Sequence, residues 1–226
     1  MMKLYTAVGR YKLEEQGLPV IVTGDGTERG LDAHELIIWS SLAFRILTYD
    51  ELKREFYEKE RELRILGDLD FDHYLNRLTM RNLIASGRDC TGVDALYDLL
   101  GRLYAQSIPN HFLVRTLSFL KLFFCKRMAL KDAALLFRKE ELTASEKQVL
   151  SLLKHQMLST AELIQCVEKG QSALQSTDEL MELLYQDSHC DCETIITDSR
   201  FSETRILTLT AIANLYLKQQ IILQIL

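Results

Sequence analysis

Residues 71–82, Phe-Asp-His-Tyr-Leu-Asn-Arg-Leu-Thr-Met-Arg-Asn, hold the densest set of hydrogen-bonding side chains at helical spacing. Steps of three and four place Asn76 near His73, and Arg77 near both His73 and Arg81, on one face of a helix. A guanidinium fits guanine edges and an asparagine amide fits adenine, so these residue types suit readout of base edges. The competing account is a solvated polar face, which every amphipathic helix carries.

A second set is basic. From Arg115 to Lys139 come Arg115, Lys121, Lys126, Arg127, Lys131, Arg138 and Lys139 against the single acid Asp132. Such a run can contact phosphates, or Glu140, Glu141 and the acidic helix starts can neutralise it. Phe119, Phe123, Phe124 and Phe137 interleave at spacings that suit a core as well as base stacking. His189-Cys-Asp-Cys192 is the one concentrated ligand set, and it lacks the second Cys/His pair a zinc site needs. No phosphate-cradling glycine loop, His-Glu-x-x-His or Gly-x-Ser-x-Gly occurs. The expectation is a chain without catalytic residues, metal or cofactor.

Behind these residues stand 226 residues, 47% hydrophobic and 26% charged, with net charge -5. That excludes a disordered chain and allows one large core or two small ones. Only Pro19 and Pro109 occur, which favours helices over a turn-dense sandwich or barrel. Residues 1–104 carry 14 basic and 18 acidic side chains, and the remainder 13 and 14, so neither half is basic. The start lacks the apolar run of a signal peptide, and no stretch is apolar enough for a membrane span. Five cysteines without a framework read as reduced thiols, so a cytoplasmic protein is expected.

Tyr5–Tyr11 and Leu18–Thr23 predict one or two short strands, closed by Gly24-Asp-Gly26. Asp32 with Glu35, and Thr48 with Glu51, mark two helix starts. A third helix runs from about Phe71 to Ala85, then a hairpin or turn over 86–92, then helical spacing over 93–104. Pro109 breaks the chain near its middle. Beyond it, helices are predicted over 146–155, after Ser159, and after Ser176, with a short strand at Thr194–Thr197. A long helix then fills 202–226. The two halves share an arrangement, but their residue identities do not align into a sequence repeat.

This order resembles winged helix-turn-helix DNA-binding proteins, best over residues 31–100. The residues carrying it are Leu31-Asp-Ala-His-Glu35, Thr48-Tyr-Asp-Glu-Leu52 and Arg81-Asn-Leu-Ile-Ala-Ser-Gly87. The fold class expected is mainly α with small β elements, as two winged-helix-like helical units in tandem. Residues 1–104 form strands plus the first unit, 105–141 a basic helical connector, and 142–226 a second helix-turn-helix-like unit with a C-terminal helix.

The resemblance implies double-stranded DNA as partner and transcriptional regulation as function. His73, Asn76, Arg77 and Arg81 would meet the groove, with Arg88, Lys126 and Arg127 as phosphate contacts. The third helix of the second unit, 178–187, is acidic and argues against DNA there. Residues 207–226 are apolar enough to pack between subunits of a homodimer. The alternative is a non-enzymatic protein- or peptide-interaction module on the same scaffold, with an N-terminal strand edge open to an added peptide strand.

Overall fold

The computed structural model describes residues 1–13, 19–65, 69–108, 141–186 and 191–225. The described residues are mainly helical, with three small antiparallel sheets of three strands each. In chain order the first part runs β1 (Met2–Ala7), β2 (Arg10–Leu13), β3 (Pro19–Val22), β4 (Glu28–Gly30), α1 (Ala33–Leu42), β5 (Ile46–Thr48), α2 (Tyr49–Leu63), α3 (Phe71–Met80), β6 (Ile84–Asp89) and α4 (Gly92–Leu100). The second runs β7 (Tyr104–Ser107), α5 (Ala144–Leu152), β8 (Leu158–Ser159), α6 (Thr160–Glu168), α7 (Thr177–Leu184), α8 (Cys192–Phe201), α9 (Arg205–Leu217) and β9 (Ile221–Gln224).

Side-chain caps start the described helices except α9. Asp32, Thr48, Thr143 and Ser159 each accept from the backbone N–H three residues on. Glu35, Glu51, Glu146 and Glu162 reciprocate at the four cap residues. Two orphan donors are thereby satisfied per helix, which fixes where each begins.

The sheets reveal a repeat. β1 lies between β5 and β6, and β7 lies between β8 and β9, all pairings antiparallel. In each unit the first strand is therefore central, the strand after the first long helix is one edge, and the last strand is the other. Leu4 faces Thr48 and Gly87 across its ladders, and Tyr104 faces Ser159 and Gln224. Carrying this register along the chain lays residues 31–60 on 142–171 without a gap. Leu31, Ala33, Glu35, Ser40, Leu42, Leu47, Glu51 and Leu52 then meet Leu142, Ala144, Glu146, Ser151, Leu153, Leu158, Glu162 and Leu163. The expectation of an arrangement without sequence repeat is corrected. Glu35, Glu51 and their counterparts close capping boxes, Leu42, Leu47, Leu52 and theirs lie in the cores, and drift elsewhere hides the match.

The repeat also relocates the third helix of the second unit. α9 packs on α5 and α6 and leads into the last strand, as α3 packs on α1 and leads into β6. The acidic α7 precedes it as one of two additional helices. α3 and α9 even end alike. Asn82 and Gln219 take left-handed backbone (φ 56° and 60°). The next N–H reaches back to Leu78 O in one unit and Leu215 O in the other.

Those endings explain several differences from the expected elements. The third helix stops at Met80, and Ile84–Ala85 enter a strand because Asn82 turns the chain. The turn over 86–92 is instead the rest of β6 and the capped start of α4. Thr194–Thr197 lie in α8, capped by Asp191, and the terminal helix gives way at Lys218 to β9. The first residues of the expected connector form β7, and 109–140 lie outside the described residues.

Two cores result, with the first sheet between them. Alternation along β1 sends Tyr5 and Ala7 toward Leu36, Phe56, Phe71 and Leu78, and Leu4 toward the opposite core of Leu99, Leu152, Ile164 and Leu215. Both faces of this sheet are buried. Tyr216 of α9 fastens the units. Its buried hydroxyl accepts from Thr6 Oγ1 and Phe44 N (3.0 Å each) and lies 3.2 Å from Ala7 O and Leu42 O, to one of which it donates. Gly9 N also donates to Leu223 O at 2.9 Å.

Candidate functional site

The third helix of each unit is the element the sequence points to, and its exposed side is set by what its other side buries. α3 buries Phe71, Tyr74, Leu75 and Leu78. His73 and Asn76 are left exposed, Arg77 half-exposed and Met80 85% exposed.

The two arginines are not alike. Glu35 is nearly sealed, its side chain 1% exposed, and both arginines reach it. Arg81 Nη1 donates to both carboxylate oxygens at 2.8 and 2.9 Å, and Nη2 donates to Gly30 O. Arg77 stands 3.1 Å from Glu35 Oε1 and 3.3 Å from Asp32 Oδ2. A buried carboxylate is costly without a cation, so Arg81 is a structural clasp between α1 and the end of α3. Arg77 shares that clasp while keeping contact with solvent.

The second unit repeats the clasp. Lys218 Nζ donates to Glu146 Oε1 and Oε2 at 3.0 and 2.9 Å, and the carboxylate is again 1% exposed. Asn214, in the place of Arg77, hydrogen-bonds the same carboxylate. Burial pushes the Glu146 carboxyl up. Lys218, the Thr143 backbone and Asn214 outweigh it and hold the group below its ordinary value.

The solvent sides differ in chemistry. Where α3 shows His73, Asn76 and Met80 to solvent, α9 carries exposed Thr210, buried Ala213 and exposed Leu217. Ile206 is 57% exposed, Leu207 52% and Leu217 49%; Phe201, just before α9, is 81% exposed. Sequence reasoning missed this stripe because it merged α9 and β9 into one helix. The spacing of Ile206, Thr210 and Leu217, four and then seven residues apart, was the signal available.

The remaining sequence candidates are scattered. Arg88 is exposed on β6; its backbone N donates to Asp98 Oδ2 at 2.8 Å, and its Nε lies 3.1 Å from Met1 Sδ. Lys126 and Arg127 lie outside the described residues, as do His189 and Cys190. Among the described residues no three His, Cys, Asp or Glu side chains gather to hold a metal. No described helix is long and apolar enough to cross a membrane.

A cleft of about 390 Å³ opens between α4 and α8, lined by Tyr97, Asp98, Arg102, Glu193, Arg200 and Phe201. Its charges serve each other: Arg102 pairs with Glu193, and Arg200 with Asp89 of β6. Arg205, beside it, pairs with Asp94. Compared with known proteins, the chain matches no family model, no curated protein and no solved structure.

Proposed function

We propose that the chain is a non-enzymatic protein-interaction module built from two winged-helix-like units in tandem. The hairpin expected beyond each third helix would be replaced by a strand supplied from the start of the unit. The observation that carries the function is the exposed face of α9, where Ile206, Leu207 and Leu217 stand without a charge among them. An uncharged helix face of this kind is matched by apolar side chains of another protein, and phosphates gain nothing from it. The clasps add support, since Glu35 holds Arg81 and Glu146 holds Lys218. The test is retention of proteins from a native extract by the wild-type chain, by Ile206→Glu and by Met80→Glu. Partners kept by the wild type and Met80→Glu but lost by Ile206→Glu are expected. Identical sets from all three would overturn the proposal.

A second reading is favoured by one observation: His73 and Asn76 stand open on α3 with Arg77 beside them. Under it the first unit contacts duplex DNA, with regulation of transcription as the outcome. Fluorescence anisotropy with random duplex at low salt tests it. Binding that falls steeply with salt and weakens in Asn76→Ala supports DNA; no anisotropy change at low salt removes it.

A further inference from the structure

We infer that the groove where α4 meets α8 and the start of α9 receives a segment of a partner protein in which an apolar side chain stands between lysines or arginines. This rests on the protein-interaction reading above and names the chemistry of its partner.

Two clefts, of about 390 and 580 Å³, open here and share Arg200 and Phe201 in their walls. Phe201 is 81% exposed, and Ile206, which lines the second cleft, is 57% exposed. A phenylalanine ring held in water gains from any apolar side chain that covers it, so the groove has an apolar centre to offer.

Charge decides what flanks that apolar side chain. Five carboxylates and three guanidiniums line the two clefts. The guanidiniums are engaged: Arg102 with Glu193 at 2.7 Å, Arg200 with Asp89 at 2.9 Å and Arg205 with Asp94 at 3.1 Å. Those pairs tie α8 and α9 to β6 and to α4 and its end, so the walls are set before a partner arrives. Asp98 in the first cleft and Glu203 in the second are exposed and form no ion pair among the described residues. Asp98 Oδ2 accepts from Arg88 N, an uncharged donor. One surplus carboxylate therefore stands in each cleft, with Phe201 common to both. Cations on either side of an apolar group match that order, whereas an anion would have to displace a carboxylate from Arg102 or Arg200.

Fluorescence anisotropy of labelled synthetic peptides with the full chain tests this. The probes carry leucines set between lysines, the same leucines between glutamates, and alanines between the same lysines. Only the first is expected to bind, with an affinity that falls as salt rises. Asp98→Asn combined with Glu203→Gln removes both surplus charges and keeps an acceptor for Arg88 N; it should weaken binding at least about tenfold. Phe201→Ser should weaken it by about as much, and its circular dichroism melt should match the wild type because the ring is exposed. Glu58→Gln, which removes an exposed carboxylate of α2, should leave the affinity unchanged.

A leucine–lysine probe that fails to bind overturns the inference, as does equal binding of the glutamate or the alanine probe. Unchanged affinity in Phe201→Ser or in the double variant does the same. If the probes fail while Ile206→Glu still loses proteins that the wild type retains, the partner chemistry falls and the interaction function stands. If the extract shows no such loss either, both fall.

Discussion

Lys218 stands to Glu146 as Arg81 stands to Glu35: each closes on a carboxylate 1% exposed, at the first turn of the first long helix of its unit. The partners beside them differ, Arg77 in one unit and Asn214 in the other. The second clasp therefore has one cation and the first has two. Lys218→Ala strands a buried charge and should cost about 3 kcal/mol in urea unfolding. Arg81→Ala should cost less, because Arg77 remains, and Arg77→Ala at most about 1 kcal/mol. Equal losses for Arg77→Ala and Lys218→Ala would contradict this ordering.

The same clasp gives a pH dependence. The Glu146 carboxyl is held below its ordinary 4.5, so the folded state favours the ionised form. That stability is present above the unfolded value and is lost as pH falls through the folded one. The urea midpoint should drop below about pH 4.5, and Glu146→Gln should show a shallower acid slope.

Tyr216 acts at the other end of the scale. Burial pushes its hydroxyl up from 10.0 to about 12, so the folded state keeps it neutral. Stability is full below the unfolded value and falls as pH rises from about 10 toward 12, by about 2–3 kcal/mol in all. Tyr216→Phe leaves the half-buried Phe44 N–H without its acceptor and should cost about 1–3 kcal/mol at neutral pH. It should also flatten the alkaline decline, read by thermal melts across the range.

Gly87 lets α4 lie directly on β6. A Cβ there would sit 2.1 Å from Leu99 N and 2.5 Å from Ala95 O, both backbone atoms. Gly87→Ala should therefore separate strand and helix at a cost of about 3 kcal/mol. Gly30→Ala, where a Cβ meets nothing within 4 Å, is the control and should melt near the wild type.

Thiol labelling should sort the described cysteines. Cys90 and Cys192 are exposed, whereas Cys166 is buried and burial pushes its thiol up to about 12. Peptide mass spectrometry under limiting maleimide should find the first two modified early. Cys166 should follow only at the rate of unfolding; early labelling of Cys166 would show that α6 opens on its own.

Much of the helical framework was legible because caps are local. Asp32–Glu35, Thr48–Glu51 and Ser159–Glu162 announce helix starts within four residues of sequence. The strands after α3 and α9 were not, since Asn82 and Gln219 turn the chain without a glycine or proline to mark the place. At the candidate site the exposed set His73 and Asn76 followed from spacing. The clasp did not, because Glu35 read as a capping residue and its second role depends on α3 arriving from 46 residues downstream. The role of α9 was hidden for the same reason: α7 is next in sequence, but α9 is next in space.

The placement of β1 and β7 at the middle of their sheets has a consequence for synthesis. Each is the first strand of its unit to leave the ribosome, yet neither has a partner until later strands emerge. β1 must wait for β5 and then β6, and β7 for β8 and finally β9 at Ile221–Gln224. Such long-range pairing is slow to form. The bond from Gly9 to Leu223 spans nearly the entire described chain. A nascent chain that stalls before Ile221 therefore exposes β7 along one edge, where another such chain can pair.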